Sequence, residues 1–258
     1  MRTPWRRERC LTHVAGTAAL LSSMACTNGG QTANRSALER PVEPQPTDSR
    51  ARERDSMVER QLAARGILDE RVLAAMRSVP RHEFVPEAGR GQAYADHPLE
   101  IGFDQTISQP YIVARMSELA RVGPNDKVLE VGTGSGYQAA VLAELARDVY
   151  SIEIVAPLAR RAAETLTRLG HRNVAVRAGD GYRGWPEQAP FDAIVVTAAP
   201  AHVPEPLKQQ LAQGGRLVIP VGTGDQELLL LTRRGDHFET ARVLAVRFVP
   251  MTGAAERE

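Results

Sequence analysis

Residues 128–136 read Val128-Leu129-Glu130-Val131-Gly132-Thr133-Gly134-Ser135-Gly136, an apolar run that breaks into a glycine-rich turn. Such a run, bounded by glycines, fits a short buried strand. Its glycines let the backbone come close to a ligand with no side chain in the way. The spacing is G-x-G-x-G and not the G-x-G-x-x-G of a pyrophosphate cradle. A branched side chain at Gly134 is expected to fill the turn.

Outward from this turn, strand and helix alternate. Lys127–Val131 is followed by a helix over Tyr137–Ala146, a strand over Val149–Glu153 and a helix over Pro157–Leu169. Val174–Arg177 and Ala193–Thr197 are the next strands, and a helix over Glu205–Ala212 leads to a strand over Arg216–Val221. Repeated βαβ units predict a doubly wound parallel sheet. Glu227–Thr232 and Ala241–Val249 break the pattern, because Arg233–Thr240 is too short for a crossover helix. They are expected to pair as an antiparallel hairpin. The fold class this predicts is α/β: the class I S-adenosylmethionine-dependent methyltransferase fold, mostly parallel and ending in that hairpin.

Upstream, 52–65 and 69–77 read as short helices, punctuated by Gly66 and Pro80. They form a small N-terminal helical elaboration. Arg81–Gln109 reads as a long irregular stretch, which inside a compact domain is usually functional. Pro110 opens a helix reaching about Arg121.

The strand ends carry the candidate chemistry. Glu153 closes the second strand, where a carboxylate can accept hydrogen bonds from both ribose hydroxyls or simply sit in solvent. Asp180-Gly181 follows the third strand as an adenine contact or a plain turn. Thr197-Ala198-Ala199-Pro200 ends the fourth and leaves room for methyl donor and acceptor. Amine-methylating enzymes often carry an Asn/Asp-Pro-Pro-aromatic motif there, so its absence favours an oxygen acceptor. A carboxylate is already ionised at neutral pH and needs no general base.

The totals exclude several classes. Thirty-two basic residues against 31 acidic ones give no global pull towards nucleic acid or anionic lipid. Both cysteines, Cys10 and Cys26, precede Thr27, so the folded part has no thiolate nucleophile and no cysteine-held metal. The six histidines stand singly, and no metal site is expected.

Residues 1–26 resemble an export signal, with Arg2, Arg6, Arg7 and Arg9 before an apolar run and Cys26 as the candidate lipidated residue. The run is too short to span a membrane. Residues 27–51 read as a disordered linker, and 52–258 as the methyltransferase domain. Met57 would serve equally well as a start, which places the chain in the cytoplasm with its methyl donor. The alternative is an exported lipoprotein.

The residues as a set resemble the protein-L-isoaspartate (D-aspartate) O-methyltransferase family, from about Met57 to Val249. The most specific segment is Gln105-Thr106-Ile107-Ser108-Gln109-Pro110. Arg81–Pro86, Val128–Tyr137, Gly179-Asp180-Gly181, Pro190-Phe191-Asp192 and Phe248-Val249-Pro250 support it in the same order. The resemblance implies S-adenosyl-L-methionine as cofactor and isoaspartyl-containing proteins and peptides as substrates, methylated on the free α-carboxylate. The resulting ester would cyclise to a succinimide, starting repair. Ser108 would be the active-site serine, unless it only caps the helix opening at Pro110. The implied cofactor set is Thr106, Ile107, Glu130, Gly132, Thr133, Gly134, Ser135, Glu153, Asp180, Gly181, Thr197 and Gln226. His82 is a candidate substrate contact or a structural histidine, and a monomer is expected. An NAD-dependent oxidoreductase, a methyltransferase for small molecules or RNA, and a silent binding module are the rivals.

Overall fold

The computed structural model describes residues 50–256. The expected export segment, Cys26 and all but the last two residues of the expected linker lie outside the described residues. Six α-helices and nine strands follow in order among the described residues, besides short π and 3-10 turns: α1 Ala51–Met57, α2 Glu70–Ser78, β1 Leu99–Gly102, β2 Gln105–Ile107, α3 Pro110–Ala120, β3 Lys127–Val131, α4 Tyr137–Ala143, β4 Asp148–Glu153, α5 Ala156–Arg168, β5 Val174–Ala178, β6 Phe191–Val196, α6 Glu205–Gln209, β7 Leu211–Val221, β8 Gln226–Arg234 and β9 His237–Val246.

The main sheet runs β5-β4-β3-β6-β7-β8-β9. It is parallel from β5 to β7, and the β7–β8 and β8–β9 pairings are antiparallel. Successive side chains of a strand point to opposite faces. Val128, Ala193, Val195 and Val218 accordingly join the core shared with α2 to α5. Leu129, Val131, Ile194, Leu217 and Ile219 join a second core with Leu207 of α6 and Met251. Burial on both faces is why these strands read as continuous apolar runs.

Several boundaries depart from expectation. α6 stops at Gln209, because Leu211 already pairs with Phe191 as the first residue of β7. α4 stops at Ala143 and β9 at Val246, each three residues early. Arg234 pairs with His237, so the final hairpin turns on Gly235 and Asp236 alone. The stretch 81–109, expected to be irregular, contains the two-stranded hairpin β1–β2. No helix among the described residues is long and apolar enough to cross a membrane.

The folded part also begins before Met57. Arg54 in α1 is 8% exposed, and its Nε donates to the Arg77 carbonyl. The Arg50 guanidinium lies 5.0 Å from the centre of the Tyr94 ring. A chain starting at Met57 loses these contacts and uncovers Met57 and Val58, both now buried. Removing about 2–3 kcal/mol of bonding and packing is expected to lower Tm by about 4–12 °C, measurable by calorimetry on the two chains.

Candidate active site

The glycine turn is pinned to the neighbouring strand. Gly132 and Thr133 donate backbone N–H groups to the Ile152 carbonyl at 2.8 and 3.3 Å. Gly132 sits at φ +98°, and a Cβ there would run into Thr197 Oγ1. A Cβ on Gly181 would run into Val131 Cγ1. Both positions therefore require glycine so that the turn can pack against Thr197 and Val131. Thr197 Oγ1 in turn donates to the carbonyls of Val131 and Gly132, which fixes the end of β6 against the turn.

Glu153 stands at the end of β4, 5% exposed. One carboxylate oxygen accepts from Gly134 N at 2.8 Å and the other from Val155 N at 2.9 Å. Each oxygen keeps a second lone pair, and the residue lines the cleft. Ser135 precedes the cap position of α4, which is Gly136, and its Oγ accepts from Tyr137 N at 3.3 Å.

Glu130 is placed differently from its expected cofactor contact. It is fully buried beneath the turn and does not line the cleft. Its carboxylate accepts from Ser151 Oγ, which lies 2.5 Å from Thr133 Oγ1. Glu130 thus props the turn through two hydroxyls. Burial pushes its pKa up to about 8, against the opposing Ser151 hydrogen bond. The unfolded chain ionises near 4.5, so between about pH 5 and 8 the folded state binds the proton more tightly. Stability from this group is therefore present at low pH and lost as pH rises towards 8. Glu130→Gln is expected to flatten that slope in urea titrations repeated across the window.

Asp180 and Gln226 likewise bond to the protein's own backbone. Asp180 accepts from Tyr182 N at 2.9 Å and from Ala254 N at 2.8 Å. Gln226 holds Phe248 by both groups, donating to its carbonyl at 3.1 Å and accepting from its N–H at 2.6 Å. Between these latches, Ala199 N donates to Val249 O and Met251 N to Ala199 O, both at 2.8 Å. The segment 247–254 is thereby strapped across the carboxyl end of the sheet. His82 lies away from the cleft, its Nδ1 2.7 Å from Tyr94 Oη and its Nε2 3.5 Å from Glu83. That geometry matches the structural alternative rather than substrate contact.

The remaining expected residues meet at three joined hollows. A cleft is lined by Gly132, Gly134, Glu153 and Gly181, with Val131, Ile154 and Met251 as apolar walls. A second hollow is lined by Ile107, Ser108, Thr133 and Ser135. A third, the largest of the three and open to solvent, is lined by Ser108, Gln109, Tyr111 and Phe248. Thr106 and Thr197 line all three. Ser108 is half-buried there, and the cap position of α3 falls to Gln109, which makes no side-chain cap bond.

Several lining residues escaped the sequence. Ile154 is 43% exposed directly after Glu153, and an apolar residue in that position is the signal that could have marked a ring-binding wall. Met251 and Thr252 had no signal, since they follow the last strand. Arg65 and Arg247 also line the open hollow.

A glycine cradle at the end of β3, a strand-end carboxylate beside it and a parallel sheet closed by antiparallel strands define a class I S-adenosylmethionine-dependent methyltransferase. A model of the protein-L-isoaspartate (D-aspartate) O-methyltransferase family matches residues 52–256, and the chain belongs to that family. A relative from Gloeobacter violaceus named protein-L-isoaspartate O-methyltransferase is 58% identical, over 78% of this chain and 100% of its own. A solved structure of a protein-L-isoaspartate O-methyltransferase is 30% identical, with a TM-score of 0.71. That match covers 77% of this chain, which spans 66% of the solved one. Another, from Plasmodium falciparum, is 27% identical with a TM-score of 0.67, and covers 77% of this chain and 98% of its own. It is described as a complex with S-adenosyl-L-homocysteine.

Proposed function

We propose that the chain methylates the free α-carboxylate of isoaspartyl residues in proteins and peptides, with S-adenosylmethionine as donor. The observation that supports this best is the meeting, at Thr106 and Thr197, of a cleft lined by the glycine turn and Glu153 with a larger hollow lined by Ser108. When bound, the donor supplies a methyl group made electrophilic by its sulfonium.

The chain's own residues then bind, orient and exclude water. Gly132, Gly134 and Gly181 line the cleft where the donor would lie. Glu153 offers its free lone pairs to ribose hydroxyls, while Ile154 and Met251 give the base an apolar bed. Thr106, Ile107, Thr133, Ser135 and Thr197 line the passage between donor and acceptor. Ser108 donates a hydrogen bond to the acceptor carboxylate and holds it in line, so that the rate gain comes from proximity and orientation. The carboxylate attacks as it stands, so no residue must take a proton. Glu130, Asp180 and Gln226 act at one remove, by fixing the turn and the strap. On this reading the enzyme is a monomer in the cytoplasm, where its donor is made.

The test uses the full chain, radiolabelled S-adenosylmethionine and paired peptides differing only in aspartyl or isoaspartyl linkage. Base-labile label on the isoaspartyl peptide alone is the expected result. Donor binding with label on neither peptide would send the search to another acceptor.

A further inference from the structure

The open hollow beside Ser108 has an uneven charge. Its charged lining residues are Arg65 and Arg247, with no Asp or Glu among them. Arg65 is held in place, stacked 3.8 Å from the centre of the Tyr111 ring and paired with Asp96 at 2.6 Å. That pairing offsets part of its charge.

Arg247 is exposed and has no ion pair among the described residues. Its backbone is fixed on both sides by one residue, since Gln226 pairs with Val246 across the β8–β9 ladder and bonds both backbone groups of Phe248. A fixed Cα with a free guanidinium can reach a charge brought in by whatever occupies the hollow.

We infer that Arg247, supported by Arg65, makes the enzyme select isoaspartyl sites that carry a second carboxylate within a residue or two. The inference rests on the carboxyl-methylation reading above and adds the charge class of the preferred substrate. The α-carboxylate loses its charge on methylation, whereas a neighbouring Glu or Asp keeps it. The discrimination therefore lies in binding the substrate and is read in KM rather than kcat. An exposed ion pair is worth about a two- to fivefold change in affinity, weakened by salt.

The experiment measures kcat/KM on the full chain for isoaspartyl peptides of one length with Glu, Gln or Lys beside the isoaspartyl residue, on either side. The expected Glu-to-Lys ratio at low salt is about tenfold, because the pair differs by two charges. It should fall to about twofold in Arg247→Gln and return in Arg247→Lys, with the change carried by KM. Using the ratio cancels any general loss of activity in the variant. A ratio near one in the unaltered enzyme, or the same ratio in Arg247→Gln, overturns the inference while leaving carboxyl methylation intact. Failure to label any isoaspartyl peptide above its aspartyl twin would instead overturn the underlying reading.

Discussion

Gly132→Ala is expected to weaken S-adenosylhomocysteine binding by about a hundredfold or more, as read by titration calorimetry on the full chain. Two costs combine. The backbone at φ +98° lies outside what a residue with a Cβ adopts comfortably, at about 1–3 kcal/mol. The added Cβ also strikes Thr197 Oγ1, so Thr197 must rotate and give up its bonds to the Val131 and Gly132 carbonyls. Both changes reshape the cradle itself, and far-ultraviolet dichroism distinguishes that from global unfolding. Adding Thr197→Ala removes the clash but not the backbone cost, so the double variant should recover part of the affinity. Gly134 behaves differently. It lies at φ +53°, and its Cβ would rest at an ordinary 3.5 Å from Ile101 Cδ1. Gly134→Ala is therefore expected to cost only about tenfold, which shifts the strict position from Gly134 to Gly132. Binding by Gly132→Ala within fivefold of the unaltered chain would remove this turn as the donor site.

The alternation that exposed the fold was legible because β3, β4, β6 and β7 are buried on both faces and bounded by turn residues. β1 and β2 were not. Each buries one apolar residue, Ile101 and Ile107, and their turn uses Phe103 and Asp104 at positive φ in place of the usual Asn-Gly. No period can be read from strands of four and three residues. The α6–β7 border was missed because Leu211 and Ala212 continue a helical pattern, while the pairing that makes them strand lies with Phe191 in β6.

The site shows a similar division. Sequence spacing locates positions at strand ends, and Glu153, Gly132, Gly181 and Thr197 all line the cleft. It does not tell where a polar side chain points. Glu130, Asp180 and Gln226 stand at the expected positions, yet their polar groups meet Ser151, Ala254 and Phe248. The strap 247–254, whose course the sequence did not reveal, supplies partners to Asp180 and Gln226, whereas Glu130 turns inward onto Ser151 of β4.

Ser108→Ala is expected to lower kcat/KM for isoaspartyl peptides by about ten- to a hundredfold while the Kd for S-adenosylhomocysteine stays within about twofold. A hydrogen bond from a hydroxyl to a carboxylate is charge-assisted and contributes about 1.5–3 kcal/mol. Ser108 lines both the narrow hollow near the glycine turn and the open one beyond it, so its hydroxyl lies at the junction an acceptor must reach. The competing role, capping α3, would predict a loss of stability of about 1 kcal/mol and a parallel loss of donor affinity. The geometry points away from it, because the cap position belongs to Gln109. Melting temperature and donor Kd therefore separate the two roles. The pH profile separates orientation from proton transfer. A carboxylate acceptor is ionised throughout pH 6–8, so the fold-loss on removing a purely orienting hydroxyl should be constant across that range. A loss that varied with pH would mean that Ser108 moves a proton, and an equal fall in donor affinity and Tm would return it to a structural role.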